Sequence, residues 1–209
     1  ACHMRPQDGT IPVRSMDGRR YDCRIVFTPS KVGAQTFNAV IRLQDMSKVL
    51  RIGDLNLSPH TRSRVDYALA ADEGMIVFNG PTGAGKSASL IALLLELHTD
   101  DTKIFTVENP IEFKVPGFHQ TQVDARDPAN SPASLLRAAL RSDPDCLLVA
   151  EIRDRETAEV AVQAVDTGHL VFTTLHAKGA LAVPTRLHSL LDDWHAVGNA
   201  LSLVIAQRL

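Results

Sequence analysis

The chain has 209 residues, a formal net charge of -2, 44% hydrophobic and 22% charged residues. That length allows one ordinary domain, or one domain and part of a second, and the composition builds a core and excludes global disorder. The balanced charge argues against a dedicated nucleic-acid binder, which carries a basic excess.

Cys2, Cys23 and Cys146 are far apart and odd in number, so they read as neither a disulfide framework nor a zinc site. A reducing, cytoplasmic setting is expected. Apolar stretches break well before the about 18 residues that a membrane span needs, and no signal-peptide layout opens the chain.

In chain order, residues 21–27 and 36–43 are rich in strand formers and read as two strands, with a loop over 28–33 between them. Ser58-Pro59 opens a helix, with Ser58 as N-cap and Pro59 at the first helical position. A boundary is expected there, which gives residues 1–57 as an N-terminal domain with its linker and 58–209 as a second domain. The first piece is short for an independent domain and reads as the tail of a larger one.

Beyond that point the pattern changes. Residues 75–79, 103–107, 146–150 and 170–174 are short apolar runs that read as buried strands. Helices are expected from 86 to 97, from Ser131-Pro132 towards 141, from 156 to 167 with Gly168 ending it, and from Trp194 to the end of the chain. Apolar strands alternating with helices predict an α/β domain with a mostly parallel sheet covered on both faces.

The segment Gly80-Pro81-Thr82-Gly83-Ala84-Gly85-Lys86-Ser87 fits G-x-x-x-x-G-K-[ST], with an apolar strand before it and a helix after it. Glycines let the backbone curl so that several N–H groups point at one anion. The helix start adds its positive end. The Lys86 ammonium reaches β- and γ-phosphates, and the Ser87 hydroxyl is a hard oxygen suited to Mg²⁺. The bland alternative is a glycine turn with an exposed lysine.

Hydrolysis also needs a group that places water in line with the γ-phosphate. Glu151 follows the run 146–150, at the strand end where such a group belongs; the competing reading is a carboxylate paired with Arg153. Glu108 ends the run 103–107 in the same way and reads either as a helper of Glu151 and of Mg²⁺-bound water or as a turn cap. Glu112 is a weaker candidate for the same work. His169 and His176 bracket the run 170–174. His176, at the C-terminal edge where open α/β sheets bind ligands, is placed to touch the γ-phosphate; His169, at the opposite edge, reads as structural.

Four segments in order, GPTGAGKS, TVENPIEF, LRSDPDCLLVAEIRD and TGHLVFTTLHA, resemble the phosphate loop, Asp box, Walker B segment and His box of the secretion motor ATPases that drive type II secretion and type IV pilus assembly or retraction. The closing IAQRL is similar too. The resemblance implies a RecA-like ATPase domain at 58–209, cut short at its C-terminus, and a partial PAS-like α+β domain before it. It implies a hexameric ring, with ATP and Mg²⁺ gripped between the two domains. It further implies Glu151 as the principal catalytic glutamate, Glu108 as the Asp-box acid, Lys86 and the loop through Ala88 on the nucleotide, and Arg24 and Arg42 as paired arginines swung onto the phosphates. Arginine suits that work because it stays charged and forks onto phosphate oxygens; on residue chemistry alone the two are ordinary strand-edge arginines. The implied partner is an inner-membrane platform protein, which places the motor in the cytoplasm, peripheral at that membrane, with no insertion and no nucleic acid.

Three positions depart from the family pattern: Asn109 where it has Asp, Ala150 where it has Gly, and Ala88-Ser89 where paired threonines are common. These bear on rate more than on binding. The tetracysteine module of some members has no counterpart in the sequence. Two rivals to a hydrolysing motor are a catalytically weak nucleotide-binding assembly module and a nucleic-acid-translocating motor; a small-molecule phosphotransferase is a distant third. Direction of action (extension, retraction or export) is not written in these segments, nor are the adenine contacts.

Overall fold

The computed structural model describes residues 7–18, 20–29, 37–45, 49–124 and 126–208. The chain divides into two compact units, Ala1–Val49 and Leu50–Leu209.

In the first unit β1 (Gln7–Arg14), β2 (Arg20–Pro29) and β3 (Phe37–Asp45) form an antiparallel meander in that order. β2 and β3 contain the two expected strands apart from Thr36, which lies outside the described residues. Of the expected loop at 28–33, Thr28 and Pro29 belong instead to β2; the rest of it lies outside the described residues. β1 has no counterpart in the sequence reading. Gly9 and Pro12 blur its alternation, and pairing with β2 supplies what local propensity does not. Opposite residues share a face, so Ile11, Cys23 and Leu43 line one side of the meander while Thr10, Arg24 and Arg42 line the other.

The second unit opens on a 3-10 turn at Ile52–Leu55 and then α1 (Pro59–Leu69), whose start is capped as its sequence predicts: Ser58 Oγ accepts from Thr61 N at 3.2 Å. Its sheet is formed by β4 (Gly74–Asn79), β5 (Ile104–Glu108), β6 (His119–Gln122), β7 (Cys146–Val149), β8 (Leu170–Leu175) and β9 (Leu201–Ala206). Their order across the sheet is β6-β5-β7-β8-β4-β9, and every pairing is parallel. The helices are α2 (Lys86–Leu97), α3 (Pro132–Leu140), α4 (Arg155–Asp166), α5 (Val183–Leu191) and α6 (Trp194–Ala200).

All residues of β4, β7 and β8 are buried, which is why they read as unbroken apolar runs. On one face Met75, Val77, Leu147, Val149 and Val171 pack with side chains of α3 to α6. On the other, α2 lies against β4 and β8, with Leu90, Ile91, Ala92, Leu93 and Leu94 all buried. A helix apolar all round belongs in such a position. Complete burial of Phe172 alone contributes roughly 1.5–3 kcal/mol.

One expectation is overturned. The helix from Trp194 does not run to the chain end: α6 stops at Ala200, Leu201 takes extended geometry (φ -77°, ψ 113°), and the chain continues as β9 beside β4. Helix and strand are equally compatible with an apolar run, and the free parallel edge of β4 decides between them. β6 and α5 also have no counterpart in the sequence reading. β6 is a polar edge strand, His119-Gln120-Thr121-Gln122, without a β-branched run, and Pro184 in the first turn of α5 reads as a breaker until the helix is seen around it. No helix among the described residues is long and apolar enough to cross a membrane.

Candidate functional site

Because the sheet is parallel, the C-terminal ends of β4, β5, β7 and β8 meet at one edge, the side on which such sheets bind ligands. The residues that follow them there are Gly80 to Ser87, the acidic segment after Glu108, Ala150-Glu151 and His176. The four motif segments, separated by up to about a hundred residues in sequence, are thus gathered by topology alone.

The loop after β4 is shaped by its glycines. Gly83 and Gly85 sit at φ 82° and 80°, in the left-handed region that side chains resist. A Cβ on Gly80 would lie 2.2 Å from the Gln207 carbonyl oxygen, so this position admits only glycine while the end of β9 passes so close. Ala84 is buried beneath the loop, whereas Pro81 and Thr82 are exposed. Gly85 is the N-cap of α2 and brings no side chain to cap it. The N–H groups of Lys86, Ser87 and Ala88 are therefore free of intrahelical partners and form a ready anion cradle.

Lys86 Nζ donates to the Gly80 and Pro81 carbonyls at 2.8 and 3.0 Å, which holds the ammonium across the mouth of the loop. Partial burial pushes its pKa down, and the carboxylates of Glu151 and Glu112 push it back up. Both acids therefore act on the lysine.

Glu151 sits just past β7 with its side chain 21% exposed; Arg153 Nη2 lies 2.7 Å from one carboxylate oxygen and His176 Nε2 3.5 Å from the other. The pairing with Arg153 that a structural reading requires is present, and so is the placement that a functional reading requires. β8 stands between β7 and β4, so Glu151 follows the strand next but one to that of the phosphate loop rather than its immediate neighbour. His176 shares with Gly80 and Pro81 the wall of a cleft of about 460 Å³, which sets the imidazole beside the loop.

Asn79 and Thr174 carry no sequence signal, yet both tie this edge together. Asn79 is 1% exposed; its Oδ1 accepts from Ala177 N at 3.0 Å, and its carbonyl accepts from Gln207 N at 2.7 Å. The Thr174 hydroxyl donates to Ala150 O at 2.7 Å. His169, at the far end of β8, uses Nδ1 against Ala164 O and the Thr167 hydroxyl at the C-terminus of α4, the structural work expected of it.

Glu108 faces inward. It is 4% exposed, and its Oε1 accepts from the Thr106 hydroxyl at 2.6 Å and from Gln120 Nε2 at 3.0 Å. Burial pushes its pKa up, partly offset by these bonds and by one from the Glu112 backbone. Ser87 is half-buried on the first turn of α2. Among the described residues no group of three His, Cys, Asp or Glu is placed to hold a metal, so there is no all-protein cage. One hard oxygen beside an anion cradle is instead the donor set that suits Mg²⁺, which keeps its waters and leans on substrate phosphates.

In the first unit Arg24 and Arg42 are direct register partners across β2 and β3. Arg24 is half-buried and Arg42 exposed. Neither has an ion-pair partner among the described residues.

Comparison with known proteins agrees with this architecture. The family model described as "Type II/IV secretion system protein" matches residues 3–209. Type II secretion system ATPase E of Vibrio cholerae is 42% identical over 205 residues, covering 98% of this chain and 40% of that protein. Type II secretion system protein E of Dickeya dadantii matches with the same identity and shares. The chain thus spans about two fifths of the length of these relatives. Among solved structures, the Legionella pneumophila ATPase DotB superposes with a TM-score of 0.79 at 29% identity, over 98% of this chain and 58% of its own. The pilus retraction motor PilT with bound ADP gives 0.78 at 29%, over 99% and 59%.

Proposed function

Since the chain belongs to the type II/IV secretion system protein family, we propose that it is the nucleotide-handling part of an ATP-hydrolysing motor that drives type II secretion or type IV pilus assembly or retraction. The observation that carries this reading is the uncapped start of α2 with Lys86 across the loop mouth, on the same sheet edge as the Glu151–His176 pair.

In this reading 58–209 belongs to a RecA-like domain and 1–57 to a PAS-like one. ATP seats its phosphates on the N–H groups of the loop Gly80 to Ala88. Lys86 leaves the loop carbonyls for the β- and γ-oxygens, an exchange of neutral for anionic acceptors that strengthens its hydrogen bonds. The Ser87 hydroxyl would hold Mg²⁺, which supplies charge neutralisation on those oxygens. Glu151 accepts a hydrogen bond from the attacking water and orients it, while Arg153 and His176 keep its two oxygens aimed. Glu108 supports the acidic segment beside it. Arg24 and Arg42 close onto the phosphates from the first unit and release once the γ-phosphate leaves, a switch of the ordered-by-phosphate kind. Six such subunits in a ring would pass the motion to an inner-membrane platform protein, with the motor in the cytoplasm.

ATP turnover of Lys86→Ala and Glu151→Gln in the full-length protein tests this. Both variants should lose it; parental turnover in both would refute the site.

A further inference from the structure

Gln120 lies on β6, outside the segments that carry the family resemblance, yet its side chain ties three groups. Its Nε2 donates to Glu108 Oε1 at 3.0 Å and to the Phe113 carbonyl at 2.7 Å, and its Oε1 accepts from Val115 N at 2.8 Å. Both amide protons and the oxygen are used, which leaves the side chain a single orientation. Two residues on, Gln122 Oε1 accepts from Ile111 N at 3.4 Å, a second and weaker tie. The period of two puts both glutamines on one face of β6. Their register partners on β5 are Thr106 and Glu108, so the same face carries the hydroxyl and carboxylate that complete the network.

The segment held this way is functionally placed. Residues 109–118 contain no helix or strand, so their backbone groups find partners in turns, such as Phe118 N to Val115 O at 3.3 Å, and in side chains. Glu112 stands in the middle. Its carboxylate acts on Lys86, and its backbone bonds to Glu108. A loop without its own ladder presents an acid at a fixed point only if something pins it on both sides; Gln122 does so before Glu112, at Ile111, and Gln120 after it, at Phe113 and Val115.

Resting on the ATPase reading above, we propose that Gln120 is a positioning residue of the hydrolytic site, which clamps the acidic segment 108–115 so that Glu112 meets bound nucleotide in one arrangement while Glu108 stays fixed in its buried place. It touches no reacting atom, and it acts through the loop.

The test uses the full-length protein with Gln120→Leu, Gln120→Glu and, as a control, Thr121→Ala, an exposed side chain on the opposite face of β6. Gln120→Leu removes both donors and the acceptor; Gln120→Glu removes the donors and sets a carboxylate against Glu108. Both should lower kcat between about tenfold and a hundredfold, the scale of a small misplacement in an active site. KM for ATP should hold, because the cradle is untouched, while the melting temperature falls in both variants as Glu108 loses a donor and, in Gln120→Leu, Val115 its acceptor. Amide exchange at Val115 should accelerate in Gln120→Leu while the amides of α2 keep their protection. Thr121→Ala should match the parent.

Parental kcat in both Gln120 variants would overturn the clamp, as would a fall in kcat accompanied by an equal loss of affinity for ATP. A parent without Lys86-dependent turnover would overturn the ATPase reading and the clamp together, which separates that failure from one confined to Gln120.

Discussion

Arg24 and Arg42 stand directly opposite each other on the ladder between β2 and β3, their side chains on one face. Like charges in that position repel, and a sheet that keeps them gives up stability for it. An anion received between the two guanidiniums removes the conflict, and the fork geometry of arginine suits phosphate oxygens. Replacing either with Gln should therefore leave the melting temperature unchanged or raise it, while ATP turnover falls. Thermal unfolding and a steady-state assay on the same preparations check both halves. A lower melting temperature with intact turnover would assign the pair a structural role.

Lys86→Ala should weaken ATP binding by roughly one to two orders of magnitude, since a hydrogen bond to a charged group contributes about 1.5–3 kcal/mol. Titration calorimetry with the magnesium salts of ATP and ADP reads this directly. The loss should be larger for ATP, whose γ-phosphate the lysine also reaches.

Glu151→Gln should separate binding from chemistry. The amide keeps the shape that lies between Arg153 and His176 but accepts the water's hydrogen bond poorly. Turnover should fall by roughly 10²–10⁴, the usual share of a positioned acid or base, with nucleotide affinity retained. Arg153→Ala should cost far less, because a partner that is 73% exposed leaves a carboxylate that water can solvate.

Gly80→Ala should damage the fold rather than the chemistry alone. The new methyl meets the Gln207 carbonyl at 2.2 Å, and backbone cannot yield as a side chain tip can. A loss of about 1–3 kcal/mol is expected from such overpacking, seen as a lower urea midpoint. Gly83→Ala meets nothing within 4 Å, so its cost comes from φ 82° alone and should be the smaller of the two.

Glu108 makes stability depend on pH in a definite direction. Burial raises its pKa in the folded chain above the ordinary value of 4.5. Below that value both folded and unfolded chains carry the proton, and the contribution is fully present. As pH rises from 4.5 through the higher folded value, the unfolded chain releases its proton first, and stability falls. Glu108→Gln has no proton to release. Its urea midpoint should exceed the parent's at pH 8 and approach it near pH 4; parallel midpoint curves would contradict the inward placement.

The legible parts of this molecule are those where one residue type has one local consequence. Ser58-Pro59 and Ser131-Pro132 cap helices wherever they fall, and both do so here. The apolar runs that became β4, β5, β7 and β8 are short and alternate with helix signals, which favours buried parallel strands. The phosphate loop needs a strand before it and a helix after it, and has both. What stayed hidden depends on partners distant in sequence. Residues 201–206 are a strand only because β4 offers an edge, and Gln120 matters only because register sets it beside Thr106. Glu108 and Glu151 look alike in sequence, each an acid after an apolar run. One turns under the sheet edge to meet a hydroxyl and an amide, and the other stays above it. No local pattern distinguishes the two.

The interposition of β8 between β4 and β7 sets a length scale. Neighbouring strands lie about 4.8 Å apart, so two steps separate the strand that leads into the Lys86 loop from the strand that precedes Glu151 by roughly 9–10 Å. A terminal phosphoryl group and one water in single file occupy a span of that order. In the proposed reading, the strand order thus spaces the loop and the carboxylate for an in-line attack.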